Sequence, residues 1–117
     1  MSDVTIYHNP RCSKSRQTLQ LLEERGVDHD VVLYLEQPPS TSQLKGLLKK
    51  LGMRARDLLR KGEEEYKSLG LADPTLGDDA LLAAMHDYPK LIERPIVVRG
   101  AHAVLGRPPE NVLELLD

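Results

Sequence analysis

Hydrophobic residues along the chain fall into short β-type runs and helical stripes, and their order predicts the architecture. Val4-Thr5-Ile6-Tyr7 reads as a strand, and His8-Asn9-Pro10 ends it with a turn signal. Ser13 to Arg25 contains neither Gly nor Pro; Leu19 and Leu22 give it an apolar stripe, and Gly26 follows as a stop. This predicts a first helix. Val31-Val32-Leu33-Tyr34-Leu35 is a second strand, apolar enough to be expected at the centre of a sheet. Strand, helix, strand is a βαβ unit, which calls for parallel strands joined by a right-handed crossover.

Gln37-Pro38-Pro39 interrupts the pattern, after which Ser40, Thr41 or Ser42 can cap a helix running to Leu51 and closed by Gly52. Short helices are then predicted over Ala55–Arg60, Glu64–Leu69 and Asp78–Asp87, separated by Gly and Pro. Almost no β-type run occurs in this stretch, so residues of about 40–91 read as a helical insertion. Pro95-Ile96-Val97-Val98 and His102-Ala103-Val104-Leu105 are strands joined across Gly100-Ala101, a hairpin signal. Pro108 and Pro109 suit a first helical turn, and a closing helix carries Val112, Leu113, Leu115 and Leu116. The expectation is an α/β fold: a mixed four-stranded sheet with helices on both faces and the insertion between strands 2 and 3.

The 117 residues suffice for one domain, expected to span 1–117. With no Phe or Trp and four Tyr, its core must be aliphatic. A net charge of −2 gives no electrostatic argument for nucleic acid or membrane surfaces. The start, Met-Ser-Asp-Val-Thr-Ile, enters a strand pattern at once, and no apolar run reaches the length of a membrane span. A single Cys excludes an internal disulfide and a Cys-rich zinc site, and a lone thiol is kept free most easily in a reducing compartment. The expected location is the cytoplasm.

The chemistry concentrates in His8-Asn9-Pro10-Arg11-Cys12-Ser13-Lys14-Ser15-Arg16, which sets the sole sulfur at a strand–helix junction. N–H groups of a first helical turn lack intrahelical acceptors and carry partial positive charge, so they favour a thiolate and can cradle an oxyanion. Arg11, Lys14 and Arg16 add cationic charge, and His8 adds more if protonated. These neighbours are poor company for an inert core thiol, and Cys12 is the candidate nucleophile. Cys12-Ser13-Lys14-Ser15 keeps the C-x-x-C spacing with Ser15 in place of the second Cys. An adduct on Cys12 must therefore be cleared by an outside thiol. Ser15 either donates a hydrogen bond to the thiolate or anion, or is simply a first-turn helix Ser. A phosphatase-type loop needs Arg six positions after the Cys; position 18 is Thr. His29, His86 and His102 lack metal-ligand spacing, no metal is expected, and Glu63-Glu64-Glu65 reads as a solvated helix start.

The run from His8 to Leu19 resembles the active-site segment of the glutaredoxin-linked arsenate reductases, the ArsC family. Further matches are Leu33-Tyr34-Leu35-Glu36, Leu58-Leu59-Arg60-Lys61, Tyr66 to Ala72, Glu93-Arg94-Pro95-Ile96-Val97-Val98 and Gly106-Arg107-Pro108, in order along nearly the whole chain. In length the chain resembles the shorter, chromosomal-type members. The resemblance implies a thioredoxin-like fold with Pro95 cis beside the active site. It implies Cys12 as catalytic thiol, Arg60, Arg94 and Arg107 as oxyanion ligands, and His8 and Ser15 as support for the thiolate or anion. It further implies arsenate as substrate, glutathione as co-substrate, glutaredoxin as electron donor, and no tightly bound cofactor. Guanidinium forks hold tetrahedral oxyanions bidentately and offset their repulsion from an anionic sulfur. Two other readings are a glutathione-dependent thiol reductase with a different substrate and a regulator resembling the Spx proteins. The latter share the fold and bind RNA polymerase, but usually carry a C-x-x-C switch, whose second sulfur is missing here because Ser15 takes its place.

Overall fold

A computed structural model describes residues 3–116; Met1, Ser2 and Asp117, which begin and end the segments read above, lie outside them. The elements run β1 (Val4–His8), α1 (Ser13–Glu24), β2 (Asp30–Leu33), α2 (Thr41–Leu51), α3 (Ala55–Leu58), α4 (Glu64–Ser68), α5 (Asp78–Asp87), β3 (Ile96–Arg99), β4 (His102–Leu105) and α6 (Leu113–Leu116). Short 3-10 turns occupy Pro89–Leu91 and Pro109–Val112. Two compact units result: among the described residues, 3–37 with 94–116, and 38–93.

The first unit contains a four-stranded mixed sheet in the order β2-β1-β3-β4. β1 runs parallel to β2 and antiparallel to β3, with Ile6 opposite both Val31 and Val97. Strand alternation buries Val4, Ile6 and His8 while Thr5 and Tyr7 are only half-buried. Val4, Ile6 and Val97 pack with Leu22 of α1 and Val112 of the second 3-10 turn, all at most 1% exposed. Gly26, at φ 65°, lets the chain leave α1 through a left-handed residue. The hairpin between β3 and β4 pairs Arg99 with His102 across Gly100-Ala101. Gly100, at φ 61°, supplies the positive φ such a turn requires.

β2 corrects the sequence reading. It occupies the sheet edge, not the centre, and ends at Leu33. Val31 is 44% exposed and Leu35, past the strand, 38%; only Tyr34 of the apolar run is fully buried. The carbonyl of Leu33 accepts hydrogen bonds from the N–H groups of Glu36 and Gln37, turning the chain before the strand can lengthen. The closing helix also differs: Pro109 opens a 3-10 turn, while Pro108 stays extended before it. Both Arg94–Pro95 and Arg107–Pro108 are cis peptides, the first as the family resemblance implied.

The second unit, residues 38–93, holds α2 to α5. Ser40 caps α2 by accepting the Gln43 N–H, and the Gln43 side chain accepts the Ser40 N–H in return. Leu44, Leu47 and Leu48 of α2 and Leu81, Leu82 and Met85 of α5 are buried. α3 ends two residues before its predicted limit because Leu59 becomes extended and bridges Ile92, and the Arg60 N–H donates to the Leu91 carbonyl at 2.8 Å. Among the described residues, no helix is long and apolar enough to cross a membrane.

Candidate active site

Cys12 stands where β1 hands over to α1. His8 closes the strand, and a tight turn returns the Cys12 N–H to the Asn9 carbonyl at 3.0 Å. The turn is braced locally: Asn9 Oδ1 accepts the Arg11 N–H at 3.0 Å, and Arg16 Nη1 donates to the Pro10 carbonyl at 3.0 Å. Cys12 is the N-cap of α1, extended at φ −96° and ψ 124°. Only 8% of it is exposed, although Arg11, Ser13 and Lys14 around it are exposed.

The Cys12 thiol is held below its ordinary pKa by a contest. Burial alone pushes it up; the Ser15 N–H, the Arg94 charge, the Lys14 N–H and a hydrogen bond from the Arg94 side chain together push it down further. The cap carries no ordinary side-chain hydrogen bond. That suits sulfur, a weak acceptor as a thiol that becomes a strong one as a thiolate.

His8 and Ser15 meet behind the sulfur. His8 is 5% exposed and Ser15 fully buried, with His8 Nδ1 2.7 Å from Ser15 Oγ. The same hydroxyl accepts the Asn9 N–H at 3.0 Å. Ser15 therefore touches the sulfur's environment through its backbone N–H while its side chain ties α1 to the end of β1. Burial, and then the Arg16 charge, lower the His8 pKa below 6.5. His8 is thus neutral at neutral pH and adds no cationic charge there.

Arg94, partly buried, brings its guanidinium to Cys12, with Nε and Nη1 buried. Arg107 is exposed, and its Nη1 reaches the Arg94 carbonyl at 3.5 Å. Pro95 and Gly106 tie these two segments together, the Gly106 N–H donating to the Pro95 carbonyl at 3.0 Å. Cys12, His8, Ser15, Arg94 and Arg107 all belong to the first unit. Arg60 belongs to the second, where Nη1 lies 2.7 Å from Glu63 Oε1 and Nε 3.9 Å from Glu93 Oε1. The sequence reading missed both carboxylates. Glu63 is no free member of a solvated acidic run; the i,i+3 spacing from Arg60 was the available signal. Among the described residues, no three His, Cys, Asp or Glu side chains gather to hold a metal.

A buried, acidified thiol capping the helix after the first strand, with an arginine bonded to its sulfur beside a cis-proline, defines a thiol site of the thioredoxin-like class. The chain belongs to the ArsC family, whose model matches residues 7–115. It is 60% identical over 114 residues to YfgD of Escherichia coli (strain K12), covering 97% of this chain and 96% of that protein. It is 51% identical over 117 residues to an arsenate reductase of Neisseria meningitidis serogroup A, covering 99% of this chain and all of that one. The structure of an arsenate reductase from Vibrio cholerae superposes with a TM-score of 0.93 at 57% identity, covering 95% of both chains. The mixed four-stranded sheet with its helices is accordingly a thioredoxin-like fold.

Proposed function

We propose that this chain reduces arsenate to arsenite with Cys12 as the nucleophile. The observation that carries the reading is the acidified Cys12 sulfur with the Arg94 guanidinium bonded to it. It is supported by full-length similarity to proteins named arsenate reductase. Guanidinium next to thiolate answers the main electrostatic difficulty, the approach of an anionic sulfur to an oxyanion. Arg107, which reaches the Arg94 backbone, is assigned to the same anion, and Arg60 is assigned an anion-binding role by the family resemblance of its segment. His8 and Ser15 support the turn that presents the sulfur.

In the proposed cycle the Cys12 thiolate attacks arsenic, an S–As bond forms, and an arsenate oxygen leaves as water after protonation. Arsenic is still pentavalent. Glutathione thiolate then attacks Cys12 Sγ; the S–As electron pair passes to arsenic, arsenite departs, and a Cys12–glutathione disulfide remains. Glutaredoxin thiolate attacks the glutathione sulfur and releases the Cys12 thiolate. An outside thiol is needed because Cys12 is the only cysteine of the chain. The cycle uses no tightly bound cofactor and belongs in the cytoplasm, where thiols stay reduced.

The test is arsenite formation from arsenate by purified protein with glutathione and glutaredoxin. Arsenite is expected with wild type and absent with Cys12→Ser. Arg94→Ala is expected to raise the KM for arsenate and lower turnover. Failure to form arsenite by a protein whose Cys12 still alkylates rapidly would refute the reading and favour a thiol reductase with a different substrate.

A further inference from the structure

Beside the active-site turn lies a cleft of about 410 Å³, within the usual size of small-molecule sites. One wall is Asn9, Pro10 and Arg11; the other is Leu33, Leu35 and Glu36, past the end of β2. Both walls are preformed, the first by the Asn9–Arg11 and Arg16–Pro10 hydrogen bonds and the second by the Leu33 carbonyl turn. The two leucines make that second wall apolar, and Leu35 is one of the large hydrophobic side chains left exposed among the described residues. Arg11 and Glu36, both exposed, place one positive and one negative group on its rim.

That combination does not suit arsenate, which the Glu36 carboxylate would repel. It suits a ligand that carries a carboxylate and an ammonium group on a short, partly apolar body. Arg11, which lines the cleft, immediately precedes Cys12 in the chain. We propose that this cleft binds the resolving thiol as a zwitterionic thiol peptide of the glutathione type, a carboxylate on Arg11 and the ammonium on Glu36. The assignment rests on the reductase reading and gives its second step a location. The bound thiolate attacks Cys12 Sγ, the S–S bond forms, and the electron pair of the S–As bond goes to arsenic.

Binding can be followed without turnover, so the two readings fail separately. S-methylglutathione, which cannot react, is titrated into isotopically labelled Cys12→Ser protein and backbone amide shifts are recorded. Shifts are expected at Asn9, Arg11 and Leu33 to Glu36. Arg11→Ala and Glu36→Ala are each expected to weaken binding by up to about fivefold, as suits exposed charge pairs. In turnover, both variants should lower the rate with glutathione relative to that with 2-mercaptoethanol, which carries neither charge; a general structural defect would leave that ratio alone. Amide shifts elsewhere in the molecule, or variants that bind and discriminate like wild type, would overturn the cleft even if arsenite formation still requires glutathione. Binding at the cleft without arsenite formation would uphold the cleft and refute arsenate as substrate.

Discussion

Gly106 offers the sharpest test of how the site is built, because its replacement by Ala is forbidden by packing and not by backbone conformation. Its φ lies outside the left-handed region occupied by Gly26, Gly52, Gly70 and Gly100. A Cβ placed there would meet Pro95 Cγ at 2.8 Å and Thr18 Cγ2 at 3.0 Å, and would overlap Thr18 Oγ1. Neither neighbour can retreat easily. Pro95 is a rigid ring, and its carbonyl holds the Gly106 N–H. Thr18 is fully buried in α1, stiff at χ1, and donates from Oγ1 to the Lys14 carbonyl at 2.8 Å. Unfolded-state entropy favours Ala by about 0.4–1 kcal/mol, while overpacking a tight site costs about 1–3 kcal/mol, so the clash should win.

Gly106→Ala should therefore lose about 1–2 kcal/mol of stability, seen as a lower urea midpoint at unchanged m-value. Thr18→Ala removes two of the three clashing atoms, so in that background the Gly106→Ala penalty should shrink by about 0.5 kcal/mol or more. Gly46→Ala, in the interior of α2 with no atom near its would-be Cβ, is the control. It should gain about 0.5–1 kcal/mol. A Gly106→Ala protein as stable as wild type, or a penalty independent of residue 18, would refute the packing argument. It would also remove the account of how Pro95 and Gly106 fix the segments that bear Arg94 and Arg107.

Arg94→Ala takes away both the charge and the side-chain hydrogen bond that act on Cys12. Its thiol should move back up toward the ordinary thiol range, and alkylation by iodoacetamide at neutral pH should slow; an unchanged pH profile of alkylation would refute the contribution. Ser15→Ala leaves His8 Nδ1 and the Asn9 N–H without this partner inside the protein, which should cost about 1–3 kcal/mol in urea unfolding. The pH dependence of stability follows from His8. Its folded pKa lies below 6.5, so between the two values the unfolded chain binds more protons, and stability present above pH 6.5 is lost as pH falls through that window. His8→Gln should flatten the acid limb of a urea-midpoint titration, and an unaltered limb would show that His8 is not the group responsible.

What could be read from the sequence was what depends on neighbours in the chain. The β1–turn–α1 junction, a capped start of α2 within Ser40–Ser42, the α5 bounds and the Gly100-Ala101 hairpin all follow from local chemistry. Misreadings arose where a distant partner decides. The apolar run at Val31–Leu35 has the composition of a central strand, yet nothing in it says that only β1 will pair with it. α3 stops at Leu58 because Ile92, far along the chain, captures Leu59. The position of Cys12 was plain, but not its burial, since the exposed residues beside it describe the turn and not the space beneath the N-cap. The charge state of His8 was equally out of reach, because burial and the approach of Arg16 set it.

The two influences that acidify Cys12 differ in a way that matters for the proposed chemistry. The Ser15 and Lys14 N–H groups are backbone and remain aimed at the sulfur whatever else binds. Arg94 is a side chain with five donor hydrogens, and its charge is shared with any anion that arrives. An oxyanion on Arg94 weakens the guanidinium's hold on the thiolate and raises the thiol pKa again. A thiolate of higher pKa is the stronger nucleophile. In the resting protein, then, Arg94 lowers the thiol pKa. In the proposed reaction the same group passes part of its charge to the substrate and leaves the sulfur more reactive at the moment of attack. The Ser15 and Lys14 N–H groups limit how far the thiol pKa can rise. A lysine at position 94 would supply the charge without the fork needed to hold both partners, so Arg94→Lys should keep much of the acidity of Cys12 yet lose oxyanion turnover.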